Sequence, residues 1–96
     1  MDQKVQLKHP QGKKPISMSK DKYVLLKSVM LKYLRAKRTA TFTEISAAIA
    51  KDFRTKGTTF KGSLPWHLEW VKLDLEARKI IKRVPKTAPQ EYMIVR

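Results

Sequence analysis

Apolar residues between Ser63 and Leu75 recur at spacings of three and four, which places them on one face of a predicted α-helix. The members of this row are Leu64, Leu68, Val71 and Leu75. Ser63 suits the N-cap, and Pro65 is tolerated in the first turn because the N–H groups there have no intrahelical partner. Residues 80–84 (IIKRV) are β-branched and basic, so we expect the helix to lead directly into a short strand.

A first helix is predicted from a cap at Ser19 to about Lys37. Its apolar stripe consists of Tyr23, Leu26, Met30, Tyr33 and Leu34. Basic residues crowd its C-terminal half, where positive charge also suits the helix dipole. Those residues, Lys32, Lys37 and Arg38, therefore have two interpretations, namely a favourable helix end or contact with a ligand.

A second helix is predicted after a stub of strand at residues 39–42, which include two threonines and a phenylalanine. Thr41 and Glu44 have the spacing of a capping box, with Thr43 as the alternative cap. The apolar face of this helix consists of Ile45, Ala48, Ile49 and Phe53. We expect the helix to end near Gly57, because glycine suits a left-handed C-terminal residue.

The two ends of the chain complete a single mixed domain. Residues 92–95 are predicted to pair with residues 80–84 as a two-stranded wing, while Pro85 and Pro89 exclude regular structure between them. Helix, stub strand, helix, helix and wing, in this order, predict an α+β winged helix-turn-helix domain over residues 19–96. Residues 1–18 sustain no period and predict a flexible basic arm, either a phosphate-binding tail or a disordered leader.

Composition restricts the function classes. The 96 residues carry 22 Lys and Arg against 8 Asp and Glu, a formal charge of +14. Such a charge favours polyanions, nucleic acid before anionic membrane, although it could also serve only to keep the surface soluble. No apolar run is long enough to span a membrane, and the N-terminus has no apolar leader, so we expect a cytoplasmic protein. The absence of cysteine excludes disulfides and thiolate metal sites.

The third helix and the wing resemble the N-terminal winged-helix domain of Mrr-type restriction endonucleases. Residues 70–81 (WVKLDLEARKII) are similar to a motif of that family, in which a tryptophan is followed five residues later by a leucine, then a turn and a short apolar strand. Residues 44–53 resemble its preceding helix, and the similarity extends over about residues 22–95. The chain departs from the family at Lys79, where a glycine often turns the chain, and in a wing without Arg-Gly at its tip. The resemblance implies a small bacterial DNA-binding protein with a transcriptional or DNA-associated role, and it covers no nuclease domain.

A winged helix usually inserts its third helix into the major groove, N-terminal end first, while the wing contacts backbone or minor groove. The residues nominated for double-stranded DNA are Lys61, Ser63 and His67 near the groove and Lys82, Arg83 and Lys86 on the wing. The third helix itself is neutral, since residues 63–79 carry three basic and three acidic residues, whereas residues 20–40 carry seven basic residues against Asp21. No Arg, Asn or Gln lies between Ser63 and Ala77 to make a bidentate base contact, so weak sequence specificity is expected.

An apolar second face of the third helix has three interpretations. It consists of Trp66, Trp70, Leu73 and Ala77. The arm or the first helix could cover it, or Trp66, Trp70 and Leu73 could bind a protein, most simply a second copy of the chain. Base stacking on these rings is the third interpretation. A protein-interaction module is therefore the alternative to DNA binding.

The residues do not predict an enzyme. The two histidines, His9 and His67, lack further ligands at metal-binding spacing, and no metal or other cofactor is expected. Asp74 and Glu76 are close in sequence, but two residues apart on a helix they point in different directions.

Overall fold

The protein has an α+β fold with three helices and two small antiparallel sheets, seen in a computed structural model that describes residues 3–95. The helices are α1 (Lys20–Lys37), α2 (Phe42–Thr55) and α3 (Leu64–Ala77). The strands are β1 (Lys4–Gln6), β2 (Ser17–Ser19), β3 (Ala40–Thr41), β4 (Ile81–Arg83) and β5 (Glu91–Ile94). Within residues 3–95, no helix has the length and apolar character to cross a membrane.

The predicted pairing of the C-terminal strands is confirmed. Strands β4 and β5 are antiparallel, with Ile81 opposite Ile94 and Arg83 opposite Tyr92. The stub strand β3 pairs with the other edge of β5, placing Ala40 opposite Tyr92, so the sheet order is β3-β5-β4. The two-residue strand β3 thus holds the start of α2 beside the C-terminal strand β5.

The starts of α2 and α3 follow the local signals in the sequence, whereas Ser19 precedes α1 as predicted but its side chain makes no capping hydrogen bond. Thr41 Oγ1 accepts a hydrogen bond from Glu44 N (3.1 Å), and Glu44 Oε1 accepts one from Thr41 N (2.9 Å), so Thr41 rather than Thr43 is the cap. Ser63 Oγ likewise accepts from Trp66 N at the start of α3 (3.3 Å). Lys79 has a φ of 61°, which is the left-handed conformation that turns the chain from α3 toward β4 without a glycine.

The core forms where the three helices meet the three-stranded sheet. Within the predicted row of α3, Leu68, Val71 and Leu75 are fully buried, and Leu64 packs at the edge of the core. The other fully or nearly buried apolar side chains of the helices and this sheet are Tyr23, Leu26, Met30, Leu34, Ala40, Ile45, Ile49, Phe53, Ile81 and Tyr92. The inward orientation of the α3 row is therefore confirmed, and it leaves the opposite side of α3 to meet other partners.

The N-terminal segment differs from the expected flexible arm. Strands β1 and β2 form an antiparallel hairpin, in which Val5 lies opposite Met18, and Leu7 is fully buried. The sequence signal is weak because each strand offers only one alternating apolar pair, and ten residues join the strands in place of the two-residue loop that marks a tight hairpin. The hairpin is nevertheless part of the folded domain. Of the predicted arm, residues 1 and 2 lie outside the described residues.

Candidate nucleic-acid interface

The start of α3 brings together three of the residues nominated for DNA contact. Lys61 and Ser63 are exposed, and His67 is half-buried one turn further along. His67 Nδ1 lies 2.6 Å from the Ser63 carbonyl oxygen. Because a carbonyl oxygen only accepts, Nδ1 carries the proton and the His67 Nε2 atom is left for another partner. A side chain at Gly62, which has a φ of 98°, would meet the His67 ring at 3.1 Å, so glycine permits this approach.

Lys22 of α1 belongs to the same surface, although the sequence did not nominate it. Its Nζ atom donates to the Lys61 carbonyl oxygen (2.9 Å) and lies 5.2 Å from the centre of the Phe60 ring. Lys22 and Lys61 therefore place two ammonium groups beside the N-terminal end of α3. Only the folding of α1 against the α2–α3 loop reveals this pair, since the two residues are 39 positions apart.

The other three nominated residues lie in β4 and in the turn that follows it. Lys82 and Lys86 are exposed, and neither side chain makes a hydrogen bond or ion pair within the described residues. Arg83 is also exposed, but its Nε atom lies 3.3 Å from Glu76 Oε2, so its charge is partly used within the protein. The nominated residues thus form two groups, one at the start of α3 and one in and after β4.

The acidic side chains of α3 are matched by partners within the fold. Glu69 Oε1 accepts from Lys72 Nζ at 2.7 Å. Lys72 is only 6% exposed, and its ammonium lies 5.0 Å from the ring centre of Phe42 and 5.1 Å from that of Tyr92. Lys72 therefore holds α3 against the sheet and is not available to a ligand. The centre of α3 remains electrically balanced, as the residue counts predict.

The two tryptophans have different environments. The Trp70 ring packs against the core, and its outer side contacts the His9 ring of the hairpin loop at 6.2 Å between centroids. Leu73 is half-buried. Trp66 is 50% exposed and contacts the Trp70 ring at 6.3 Å. The N-terminal hairpin thus covers Trp70, which is one of the three interpretations that the sequence left open for this face. Trp66 stays accessible.

The buried carboxylate of Asp74 links the N-terminal hairpin to α1 and α3 through hydrogen bonds. Asp74 Oδ1 accepts from the backbone N–H of Lys8 (2.8 Å), Asp74 Oδ2 accepts from the Tyr23 hydroxyl (2.6 Å), and Arg78 Nε lies 2.9 Å from both oxygens. These groups form the Asp74 network, which joins the hairpin, α1 and α3. The i,i+4 spacing of Asp74 and Arg78 is the only part of it visible in the sequence.

Two members of the network, Tyr23 and Arg78, have a raised pKa. Burial raises the pKa of Tyr23 to about 12, and the hydrogen bond and negative charge of Asp74 add to the effect. The hydrogen bond to Asp74 raises the pKa of Arg78. Both shifts favour the protonated form of the donor, which is the form that hydrogen-bonds to Asp74.

Tyr23 allows a pH test of the network. The folded protein holds the phenol proton more tightly than the unfolded chain, so this stabilisation is complete below the unfolded pKa of 10.0 and is lost as pH rises toward about 12. Tyr23→Phe lacks the phenol hydroxyl and leaves every other ionisable group of the chain in place. We expect the wild-type advantage in free energy of unfolding over Tyr23→Phe, measured by urea denaturation, to shrink across this range. An advantage that stays constant would contradict the prediction.

Comparison with known proteins gives a family but no activity. No curated protein matches the chain, and no solved structure does. A family model matches residues 4–92, a span that includes the hairpin, all three helices and the sheet up to Tyr92 in β5. The chain belongs to this family, which is described as a family of unknown function (DUF6958).

Proposed function

We propose that this protein is a small, non-enzymatic winged-helix protein of the cytoplasm that binds double-stranded DNA with low sequence specificity. The observation that carries the proposal is the formal charge of +14, with exposed basic side chains on α1, before α3 and after it, while the acids of α3 have partners inside the fold. A transcriptional or other DNA-associated role is proposed from the resemblance to the Mrr-type N-terminal domain.

The topology supports a winged helix. The elements from α1 onward follow the order α1, β3, α2, α3, β4 and β5. Strand β3 completes the sheet by pairing with β5. In this arrangement α3 is the helix that would enter the major groove, and β4, β5 and the turn between them are the wing. The hairpin before α1 is an addition to that plan, packed by Leu7 and the Asp74 network.

The charges support contact with the phosphate backbone more than with base edges. The exposed basic side chains of α1 and the residue after it are Lys20, Lys32, Arg35, Lys37 and Arg38, and the wing adds Lys82 and Lys86. Such contacts are independent of sequence and release counterions, which makes affinity depend steeply on salt. The exposed side of α3 offers no bidentate donor to a base pair, which is why low specificity is proposed.

The test is a salt-titrated binding assay with random duplex DNA. If four or more phosphates are contacted, affinity is expected to fall about a hundredfold or more between about 50 and 200 mM salt. Lys82→Glu and Lys86→Glu should each weaken binding and lower the salt slope by about one. Lys51→Glu makes the same charge change at an exposed position of α2, a helix to which the proposal assigns no DNA contact, and should have a smaller effect.

Two results would overturn the proposal. One is the absence of duplex binding at the lowest salt concentration. The other is an equal loss of affinity in Lys51→Glu and Lys82→Glu, because binding would then follow net charge and not the proposed surface. Arg83 is left unchanged in this comparison, since its reversal would also place two acids together at Glu76.

A further inference from the structure

Five aromatic side chains form a continuous row along the outer side of α3. We call His9, Trp70, Trp66, His67 and Phe60 the aromatic row. Successive ring centroids in this order are 6.2, 6.3, 4.9 and 5.0 Å apart. Four of the rings are at least half covered by the protein, whereas Trp66 is 50% exposed. Trp66 is therefore the ring of the row that a ligand can reach most easily.

The neighbours of Trp66 restrain its indole. The His67 ring meets it nearly edge-on, at 77° between planes, and the Trp70 ring lies on another side at 59°. His67 is itself held by the bond from Nδ1 to the Ser63 carbonyl oxygen, and Trp70 is held by the core. An aromatic ring that is already positioned loses little conformational entropy when a second ring stacks on it.

The charges around the row favour an anionic partner. Lys22 Nζ lies over Phe60, the last ring of the row, and the side chain of the next residue, Lys61, is exposed. The nearest acid on α3, Glu69, forms an ion pair with Lys72. A partner that combines negative charge with flat apolar rings matches this surface, and a nucleic acid with unpaired bases is such a partner.

We propose that Trp66 is a stacking site for an unpaired nucleobase, so that single-stranded DNA, or a duplex with an unpaired base, is the preferred ligand of this surface. The inference rests on the proposed DNA-binding function and specifies its substrate class. A regular duplex hides the faces of its bases, so an indole on the surface can stack only where a base is unpaired or a base step is opened. Stacking is sequence-tolerant, which agrees with the lack of base-edge readers on α3.

The test compares a single-stranded oligothymidylate of about 12 nucleotides with a random duplex of the same length. The wild type, Trp66→Ala, Trp66→Phe and Val24→Ala are measured by fluorescence anisotropy of labelled DNA. Val24 is a matched control because it is 53% exposed and lies on α1. Thermal unfolding of each variant verifies that it is folded, which is expected because half of the Trp66 surface is already in water.

The expected result is a loss of about tenfold or more in single-strand affinity for Trp66→Ala, with partial recovery in Trp66→Phe and no change in Val24→Ala. Duplex affinity should change much less. Oligothymidylate should also quench the tryptophan fluorescence of the wild type, and the quenching should be lost in Trp66→Ala, where only Trp70 remains.

The other outcomes separate this inference from the proposed function. If the duplex binds with a steep salt dependence but Trp66→Ala leaves single-strand affinity unchanged, the stacking site is wrong and DNA binding stands. If neither DNA binds, both fail. The mass of the free protein is measured in parallel. A dimer that Trp66→Ala converts to a monomer, together with an unchanged single-strand affinity, overturns the inference in favour of an interface between copies of the chain.

Discussion

Asp74→Ala is expected to lower the free energy of unfolding by about 3–5 kcal/mol, the usual effect of removing one partner from a buried charged network. The carboxylate is fully buried and accepts hydrogen bonds from a backbone amide, a phenol and a guanidinium. Its removal leaves the Lys8 N–H and the Tyr23 hydroxyl without their acceptor, and buried unsatisfied donors are costly. The Arg78 guanidinium contributes less to the loss, because its side chain is 34% exposed and can be solvated.

Urea denaturation monitored by circular dichroism measures this loss. Asp52→Ala is the matched control, because it removes an exposed carboxylate from an i,i+4 pair with Lys56 on a helix surface. Such pairs contribute about 0.5 kcal/mol or less. If Asp74→Ala were no more destabilising than Asp52→Ala, the carboxylate would not hold the fold together as described.

Leu7→Ala is expected to destabilise the protein by about 2–5 kcal/mol, the range for truncating a buried leucine. Leu7 follows strand β1 and is fully buried in the core, and its N–H donates to the Ile16 carbonyl oxygen at 2.8 Å. Truncation leaves a cavity that the surrounding side chains fill only in part. A flexible arm would instead make the same substitution neutral, so this variant distinguishes the hairpin from the arm expected from the sequence.

The measurement is again the free energy of unfolding in urea, with Val24→Ala as control. Val24 is an exposed aliphatic residue, and substitutions at such positions usually change stability by less than about 0.5 kcal/mol. Equal stability of Leu7→Ala and Val24→Ala would show that the N-terminal segment does not contribute to the core. The two predictions are linked, because Lys8, next to Leu7, donates to Asp74.

The helices and the C-terminal strand pair could be predicted because their signals are local. The inward row of α3 depends on spacings of three and four residues, and the Thr41–Glu44 box depends on a spacing of three. The change from helical period to β-branched residues at residues 80–84 marks β4 within two residues. In each case, neighbours along the chain supply the partners, so the pattern alone contains the information.

The candidate interface was predicted in part for the same reason. The exposure of Lys82 and Lys86 agrees with the general preference of lysine for the protein surface. The pairing of Arg83 with Glu76 and the approach of Lys22 to Lys61 could not be predicted, since each contact depends on how two elements pack. Side-chain charge is a property of the sequence, but its availability to a ligand depends on the fold.

Whether a feature could be predicted from the sequence depends on how far apart along the chain its interacting residues lie. Chain order, helix caps, the core row of α3 and the excess of positive charge all follow from residues a few positions apart or from composition. The docking of the hairpin, the burial of Asp74 and the contrast between covered Trp70 and exposed Trp66 arise from contacts across the chain, such as the 66 positions between Lys8 and Asp74. Packing selects those contacts by shape and hydrogen-bond geometry in three dimensions, and no periodicity in the sequence encodes them.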